Sequence, residues 1–191
     1  TEFFGSTPAG QNSGIYRSTD GGTSWTRTFS DNFTISQIIA APSNFDRQYL
    51  SIVGRGVYRS DDGGQSWFEV NNGMPNRMNR LELAVGRNNP DWVFASMERW
   101  EKNADGNDFR NGVLYYSLDG GNQWQEAISV NGGLDPDLLG GQGWYDNTIM
   151  VSPMTDSTVF VGGVDLWKIS LLPDGNGGFE KNVGVMVDSY F

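Results

Sequence analysis

One eight-residue string constrains this chain more than any other feature. It reads STDGGTSW at 18–25, SDDGGQSW at 60–67 and SLDGGNQW at 117–124. Each copy follows a short alternating stretch: GIYR at 14–17, GVYR at 56–59 and VLYY at 113–116. Alternation of apolar and polar residues is the pattern of a half-buried strand. Asp-Gly-Gly after such a strand is a strong hairpin signal, because glycine adopts the positive φ that tight turns require. Asp20, Asp62 and Asp119 are placed to accept backbone N–H bonds inside their own turns, with Ser18, Ser60 and Ser117 adding a hydroxyl. Trp25, Trp67 and Trp124 open the return strand and bring a large ring to bury. A carboxylate repeated three times at repeat spacing is expected to build the fold, since one active site does not need it three times.

The repeat extends beyond the turn. QIIAAPSNFDRQYLSIVGRGVYRS at 37–60 gives two apolar strands and then the strand that leads into the second turn. LELAVGRNNPDWVFASM at 81–97 and NTIMVSPMTDSTVFVGG at 147–163 restate the first two of these elements. Each unit is therefore four short antiparallel strands. Trp25 and Trp67 stand 42 positions apart, the period of a propeller blade. Trp67 and Trp124 are 57 apart, which assigns an insertion to ERWEKNADGNDFRNG at 98–112, between the second and third strands. The fourth unit keeps LWK at 166–168 but loses the serine, the spacing and the tryptophan, and a β-turn at Pro173-Asp174-Gly175 is expected in place of the box.

Composition narrows the function classes. The chain has 26 glycines and 7 tryptophans, which suits an all-β protein dense in turns. Its formal net charge of −10 argues against a nucleic-acid partner, which needs a basic face. Without cysteine or histidine there is no disulfide framework, no thiolate chemistry and no imidazole catalysis. No apolar run approaches the ~18 residues of a membrane-spanning helix.

The pattern Ser-x-Asp-x-Gly-x-x-Trp at the third-to-fourth strand turn resembles the Asp-box, or BNR, repeat. The chain is similar to Asp-box β-propellers such as sialidases, xyloglucanase-type glycoside hydrolases, sortilin-type VPS10 domains and photosystem II assembly factors. The wider phrasing GGQGWYDNTIMVSP…VFVGGVDLWK at 140–168 looks most like large secreted BNR-repeat proteins of Bacteroidota-type bacteria. That resemblance implies an extracellular or cell-surface location. It also implies a structural role, on the outer rim, for Ser18, Asp20, Gly22, Trp25, Ser60, Asp62, Gly64, Trp67, Ser117, Asp119, Gly121 and Trp124.

The expected fold is all-β: a β-propeller fragment of about three and a half four-stranded antiparallel blades. Residues 14–28 read as the outer half of a blade, 35–70 as a blade, 80–128 as a blade carrying the insertion, and 146–183 as a degenerate blade. Residues 184–191, with GVMVD at 184–188, read as the start of a further blade. An open fan exposes its terminal sheets, so the remaining blades of a larger propeller are the first expected partner.

Propeller ligands are held on the central axis and the loops above it. Two stretches there offer chemistry: Glu98, Arg99 and Trp100 in the insertion, and Trp144, Tyr145 and Asp146 before an inner strand. Trp100, Arg99, Trp144 and Tyr145 are candidates to bind a glycan or protein ligand, although all three rings also suit simple packing. The Arg-Ile-Pro signature of sialidases and the Asp-Ile-Gly-Gly string of xyloglucanases are both absent, which leaves Asp146, Asp165 and Glu98 as carboxylate candidates. Hydrolysis would need two such groups about 5–10 Å apart. Asp105, Asn107 and Asp108 are hard oxygen ligands that could hold Ca²⁺, but no glutamate closes the loop as in an EF-hand. A solvated acidic turn explains them as well, and no other cofactor is expected. The sequence thus favours a secreted or cell-surface binding or scaffold module, with a glycoside hydrolase and a sortilin-like peptide receptor as alternatives. A receptor of that kind would bind its peptide by strand addition.

Overall fold

A computed structural model describes residues 3–6, 13–103, 105–128, 136–173 and 179–187. Among them every regular element is a strand, arranged as one three-stranded and three four-stranded antiparallel sheets. The first sheet holds β1 (Phe3–Ser6), β2 (Gly14–Ser18) and β3 (Thr26–Ser30). The second runs β4 (Ile35–Ala41), β5 (Asn44–Ile52), β6 (Gly56–Ser60) and β7 (Phe68–Glu69). The third runs β8 (Met78–Val85), β9 (Val93–Lys102), β10 (Asp108–Ser117) and β11 (Gln125–Ile128). The fourth holds β12 (Thr148–Val151), β13 (Thr158–Gly162), β14 (Leu166–Pro173) and β15 (Phe179–Val187). Each sheet is a simple meander whose strands pair in chain order. This is a partial β-propeller.

Apolar faces between successive sheets form the core. Ile15, Leu50 and Ile52 fill the space between the first two sheets. Tyr49, Val57, Leu81, Leu83, Met97, Tyr115 and Trp124 fill the second interface. Phe94, Leu114, Leu138, Leu139, Val159, Val161 and Ile169 fill the third. Alternation explains how one sheet serves two interfaces: Val93, Ala95 and Met97 of β9 face the second sheet, whereas Phe94 between them faces the fourth.

Three features differ from the reading of the sequence. Residues 184–187 do not open a further blade. They complete β15, with Gly184 opposite Lys168 and Val187 opposite Leu166. GVMV alternates equally well as an inner or an outer strand, and the long pairing with β14 decides between them; residues 188–191 lie outside the described residues. The insertion at 98–112 is not a loop. It extends β9 and β10 in unbroken register, from Met97 opposite Val113 to Lys102 opposite Asp108. The turn expected at Pro173-Asp174-Gly175 lies largely outside the described residues. Residues 3–6 also add a third strand to the unit read as beginning at 14.

The meander fixes which loops share an end of the molecule. The box turns (18–25, 60–67, 117–124) and the first-to-second strand turns (42–43, 86–92, 152–157) lie at one end. The second-to-third turns and the links between sheets, including 136–147, lie at the other. The β9–β10 extension therefore projects on the same side as Trp144 and Tyr145.

Candidate functional site

The three box turns share one geometry. Ser18 Oγ donates to Asp20 Oδ1 at 2.9 Å and accepts from Gly22 N at 2.8 Å, while Ser24 N donates to Asp20 Oδ1 at 2.9 Å. The equivalent distances are 2.8, 2.8 and 2.9 Å around Ser60 and Asp62, and 2.7, 2.8 and 2.9 Å around Ser117 and Asp119. Paired glycines at φ +69 to +91° close each turn, a conformation that strains any residue with a Cβ. Hydrogen bonds from the Ser24 hydroxyl and N–H hold the Asp20 carboxyl down to about 2. At Asp62 slight burial pushes the other way, but hydrogen bonds from Ser66, Ser60 and Gln65 prevail and bring it to about 2. Every box carboxylate is spent on its own turn.

Two of the three box tryptophans tie sheets together. Trp124 is buried and donates to Val70 O at 2.7 Å, on the preceding sheet. Trp67 Nε1 donates to Thr28 Oγ1 at 3.4 Å, again on the preceding sheet. Trp25 is 46% exposed and donates to Gly22 O of its own turn at 3.0 Å. Gly120 O accepts from Arg59 Nη1 at 2.7 Å and from Tyr49 Oη at 3.3 Å, which seats the third box on the second sheet.

At the opposite end, the β9–β10 extension and the 136–147 segment meet. Glu98 is fully buried. Its Oε2 accepts from Asn79 Nδ2 at 2.5 Å, and its Oε1 faces Arg110 Nη1 at 3.5 Å. Arg110 in turn lies 5.3 Å from the centre of the Trp100 ring, a cation–π distance. Trp100 N donates to Arg77 O at 3.0 Å, so its backbone is anchored while its ring is 39% exposed.

Arg99 projects to the other face of β9. Its Nη1 donates to Tyr115 Oη at 2.8 Å and to Glu126 Oε2 at 2.9 Å, and its Nη2 pairs with Glu101. Burial opposes the charge on Arg99, but Glu126, Tyr115 and Glu101 outweigh it, so the guanidinium is held above its ordinary value. Arg99 is thus a buried framework cation and is separated from Trp100, its sequence neighbour.

Trp144 and Tyr145 are 55% and 52% exposed and form an edge-to-face pair, with ring centroids 4.2 Å apart. Arg80, on β8, fixes them: its Nη1 donates to Tyr145 O at 3.0 Å and to Trp144 O at 3.4 Å. Arg80 also holds Glu82 through Nε at 2.9 Å. Burial raises the Glu82 carboxyl, and Arg80 partly offsets this. Asp146 is half-buried at the foot of the loop, where its N–H donates to Gln142 O at 2.9 Å. Asp165, also half-buried, lies in the β13–β14 turn, and its carbonyl accepts from Gly163 N at 3.0 Å. Asn79 thus hydrogen-bonds one oxygen of the Glu98 carboxylate, the other is buried without a hydrogen-bond partner and faces Arg110 as an ion pair, and the two aspartates sit in separate loops.

Asn79, Arg80, Glu82 and Arg110 were not singled out from the sequence. The signal available was NRLEL at 79–83, where Arg80 and Glu82 are two apart and share one face of an inner strand.

Asp105, Asn107 and Asp108 belong to the tip of the β9–β10 hairpin. Asn103 Oδ1 accepts from the N–H groups of Asp105 and Asn107 at 3.1 and 2.8 Å. Asp108 accepts from Arg77 at 2.8 Å and pairs with Lys102 at 3.2 Å, and these cations lower its carboxyl. The described residues contain no group of three or more acidic, His or Cys side chains able to hold a metal ion. At the box end, an open groove of about 670 Å³ runs along the inner strands, lined by Ile39, Val85, Arg87, Ile149, Val151 and Pro153.

Repeated four-stranded sheets packed face to face, with boxes at one end, define a box-type β-propeller. Residues 13–131 match the Sortilin-Vps10 family (sortilin, neurotensin receptor 3), and the chain belongs to that family. Its fold is similar to that of an ancestral GH74 enzyme, with 21% identity and a TM-score of 0.67 over 93% of this chain and 23% of that one. It therefore spans under a quarter of that enzyme's length, and the likeness is one of fold. Looser likenesses join it to the GH74 enzyme of Niastella koreensis (20% identity, TM-score 0.40, 88% of this chain and 34% of that one) and to YCF48 bound to a D1 peptide (17%, 0.48, 84% and 47%). No curated protein matches the sequence significantly.

Proposed function

We propose that this chain is part of a secreted or cell-surface propeller that binds a ligand at its loop end without transforming it. The observation that carries this reading is the contrast between carboxylates and rings. Glu98 is buried against Asn79 and Arg110, Glu82 is held by Arg80, and Glu101 by Arg99 and Asn111. The rings of Trp100, Trp144 and Tyr145 are open to solvent. Glycoside hydrolysis needs two carboxyl groups that reach a scissile bond from opposite sides. Recognition needs exposed, rigidly held aromatic surface and a few polar groups. A family that includes a receptor accords with binding. The GH74 fold likeness frames the competing reading, in which the propeller cleaves a glycan and this segment supplies part of its cleft.

The test is retention of β-1,4-glucan oligosaccharides and of a library of extended peptides, compared between the wild-type protein and a Trp144→Ala/Tyr145→Ala variant. Retention of one of these classes, lost in the variant, supports the reading and names the ligand class. Equal retention by both proteins overturns the placement of the site, and release of shorter glycans favours the hydrolase.

A further inference from the structure

Six of the ten arginines sit in ion pairs: Arg47, Arg59, Arg77, Arg80, Arg99 and Arg110. Arg27 and Arg55 do not. Neither has a carboxylate partner among the described residues, and both line one pocket of about 270 Å³. The pocket lies between the outer strand of the first sheet, β3, and the β5–β6 turn of the second. Its walls are firmly held. Arg55 N donates to Ile52 O at 3.0 Å, and Asn71 Nδ2 donates to Arg55 O at 2.8 Å. Asn71 Oδ1 accepts from Val57 N at 2.7 Å, which clamps the turn from its other side. The Arg55 guanidinium stacks on Phe33, 4.5 Å from the ring centre. Stacking orients the group and leaves the N–H donors on its rim available. Phe33 is fixed in turn, because its N–H donates to Asp31 Oδ1 at 2.9 Å.

We infer that this pocket binds an acidic sugar, with the carboxylate of a uronate residue held between Arg27 and Arg55. The pocket contains two guanidinium groups against one carboxylate, Asp31, so it is locally positive on a chain of net charge −10. Such a spot concentrates anions that the rest of the surface repels. A guanidinium matches a planar carboxylate with two parallel hydrogen bonds. Ser30 and Asn32 add a hydroxyl and an amide, and Asp31 an acceptor, for the ring hydroxyls. The exposed part of Phe33 offers an apolar edge to the sugar C–H groups. The volume falls just below that of drug-sized pockets, which suits one sugar residue. A neutral sugar would leave both guanidinium groups unpaired, and a small inorganic anion would leave the polar wall unused. The site is built from the first two sheets, whereas Trp144 and Tyr145 belong to the link between the third and fourth. It therefore does not rest on the ligand face proposed above.

The experiment is titration of the protein with methyl galacturonoside and methyl glucuronoside at physiological ionic strength, followed by ligand-observed NMR. Methyl galactoside and inorganic sulfate are the comparison ligands. Arg27→Gln and Arg55→Gln test the site, and Arg87→Gln removes the same charge at the box end. All three side chains are exposed, so each variant should unfold at the wild-type temperature. The expected result is binding of at least one uronoside and not of the galactoside. Arg27→Gln and Arg55→Gln should each weaken it about tenfold, while Arg87→Gln and Trp144→Ala/Tyr145→Ala leave it unchanged. Failure of the wild-type protein to bind either uronoside overturns the proposal. An equal loss in Arg87→Gln overturns it as general charge attraction, and sulfate binding as tightly as the uronosides overturns the assignment to a sugar. Loss in Trp144→Ala/Tyr145→Ala overturns the placement.

Discussion

The indole N–H of Trp124 donates to the backbone carbonyl of Val70 at 2.7 Å, joining the third sheet to the second. Trp124 is 2% exposed, whereas Trp25, at the equivalent position of the first box, is 46% exposed. The same substitution should therefore have unequal costs. Trp124→Phe loses a buried hydrogen bond and packed volume, and should lower unfolding stability by about 2–4 kcal/mol. Trp25→Phe in the same 191-residue chain should stay within about 0.5 kcal/mol of wild type. Urea denaturation midpoints of the two variants measure the difference.

Stability should fall in acid through the boxes. Asp20 and Asp62 sit at about 2, below the ~3.9 of an unfolded aspartate. A depressed carboxyl stabilises the fold above its unfolded value, and this contribution is lost as pH falls from about 4 through 2. Asp20→Asn and Asp62→Asn should each flatten the acid limb of the stability curve, as chemical denaturation between pH 5 and 2 would register. Asp20 is exposed and Asp62 only slightly buried, so added salt should reduce the effect.

The alkaline limb should belong in part to Tyr49. Burial raises its hydroxyl to about 12, against the pull of Arg47 and Arg59. A raised phenol favours the folded state below the unfolded value of about 10, and that contribution is lost as pH rises from there through 12. Ultraviolet titration should show a tyrosine ionising near 12 that disappears in Tyr49→Phe.

The aromatic pair should be sensitive to a residue that never touches it. Gly112 N donates to Asp137 Oδ1 at 2.7 Å, Leu138 N donates to Gly112 O at 3.2 Å, and a Cβ on Gly112 would meet Leu139 N at 2.5 Å. Gly112→Ala should push the 136–147 segment off β10, costing about 1–3 kcal/mol. It should also weaken ligand retention with both rings intact. Arg80→Ala should weaken retention with a smaller stability loss, because it frees the Trp144 and Tyr145 carbonyls from their clamp. Binding isotherms beside thermal unfolding curves separate these two effects.

The box turns were legible because their hydrogen bonds close within five residues, so Ser18, Asp20 and Gly22 carry their own geometry. The strands were legible because alternation reports which faces are covered. The β9–β10 extension was not. Its charges, ERWEK and NDFRN, look solvated until Arg99 finds Glu101, Glu126 and Tyr115, and Glu98 finds Asn79 and Arg110. Apart from Glu101 on the same strand and Arg110 in the same hairpin, those partners (Glu126, Tyr115 and Asn79) come from other strands 16 to 27 residues away, and pairing at that distance leaves no local trace. The end of the fourth sheet was misplaced for a related reason, since GVMV fits any strand and only its length of contact with β14 assigns it. At the loop end the sequence supplied Trp100, Trp144 and Tyr145 but not Arg80, whose importance lies in two carbonyls more than sixty residues away.

Binding without turnover is tested most directly by mass spectrometry of the retained ligand after prolonged incubation with the protein. The account predicts that the bound oligosaccharide or peptide is recovered at unchanged mass and that Glu98→Gln retains it as well as wild type. Cleavage by the wild-type protein that Glu98→Gln abolishes would contradict it, and would make the buried Glu98 a catalytic acid.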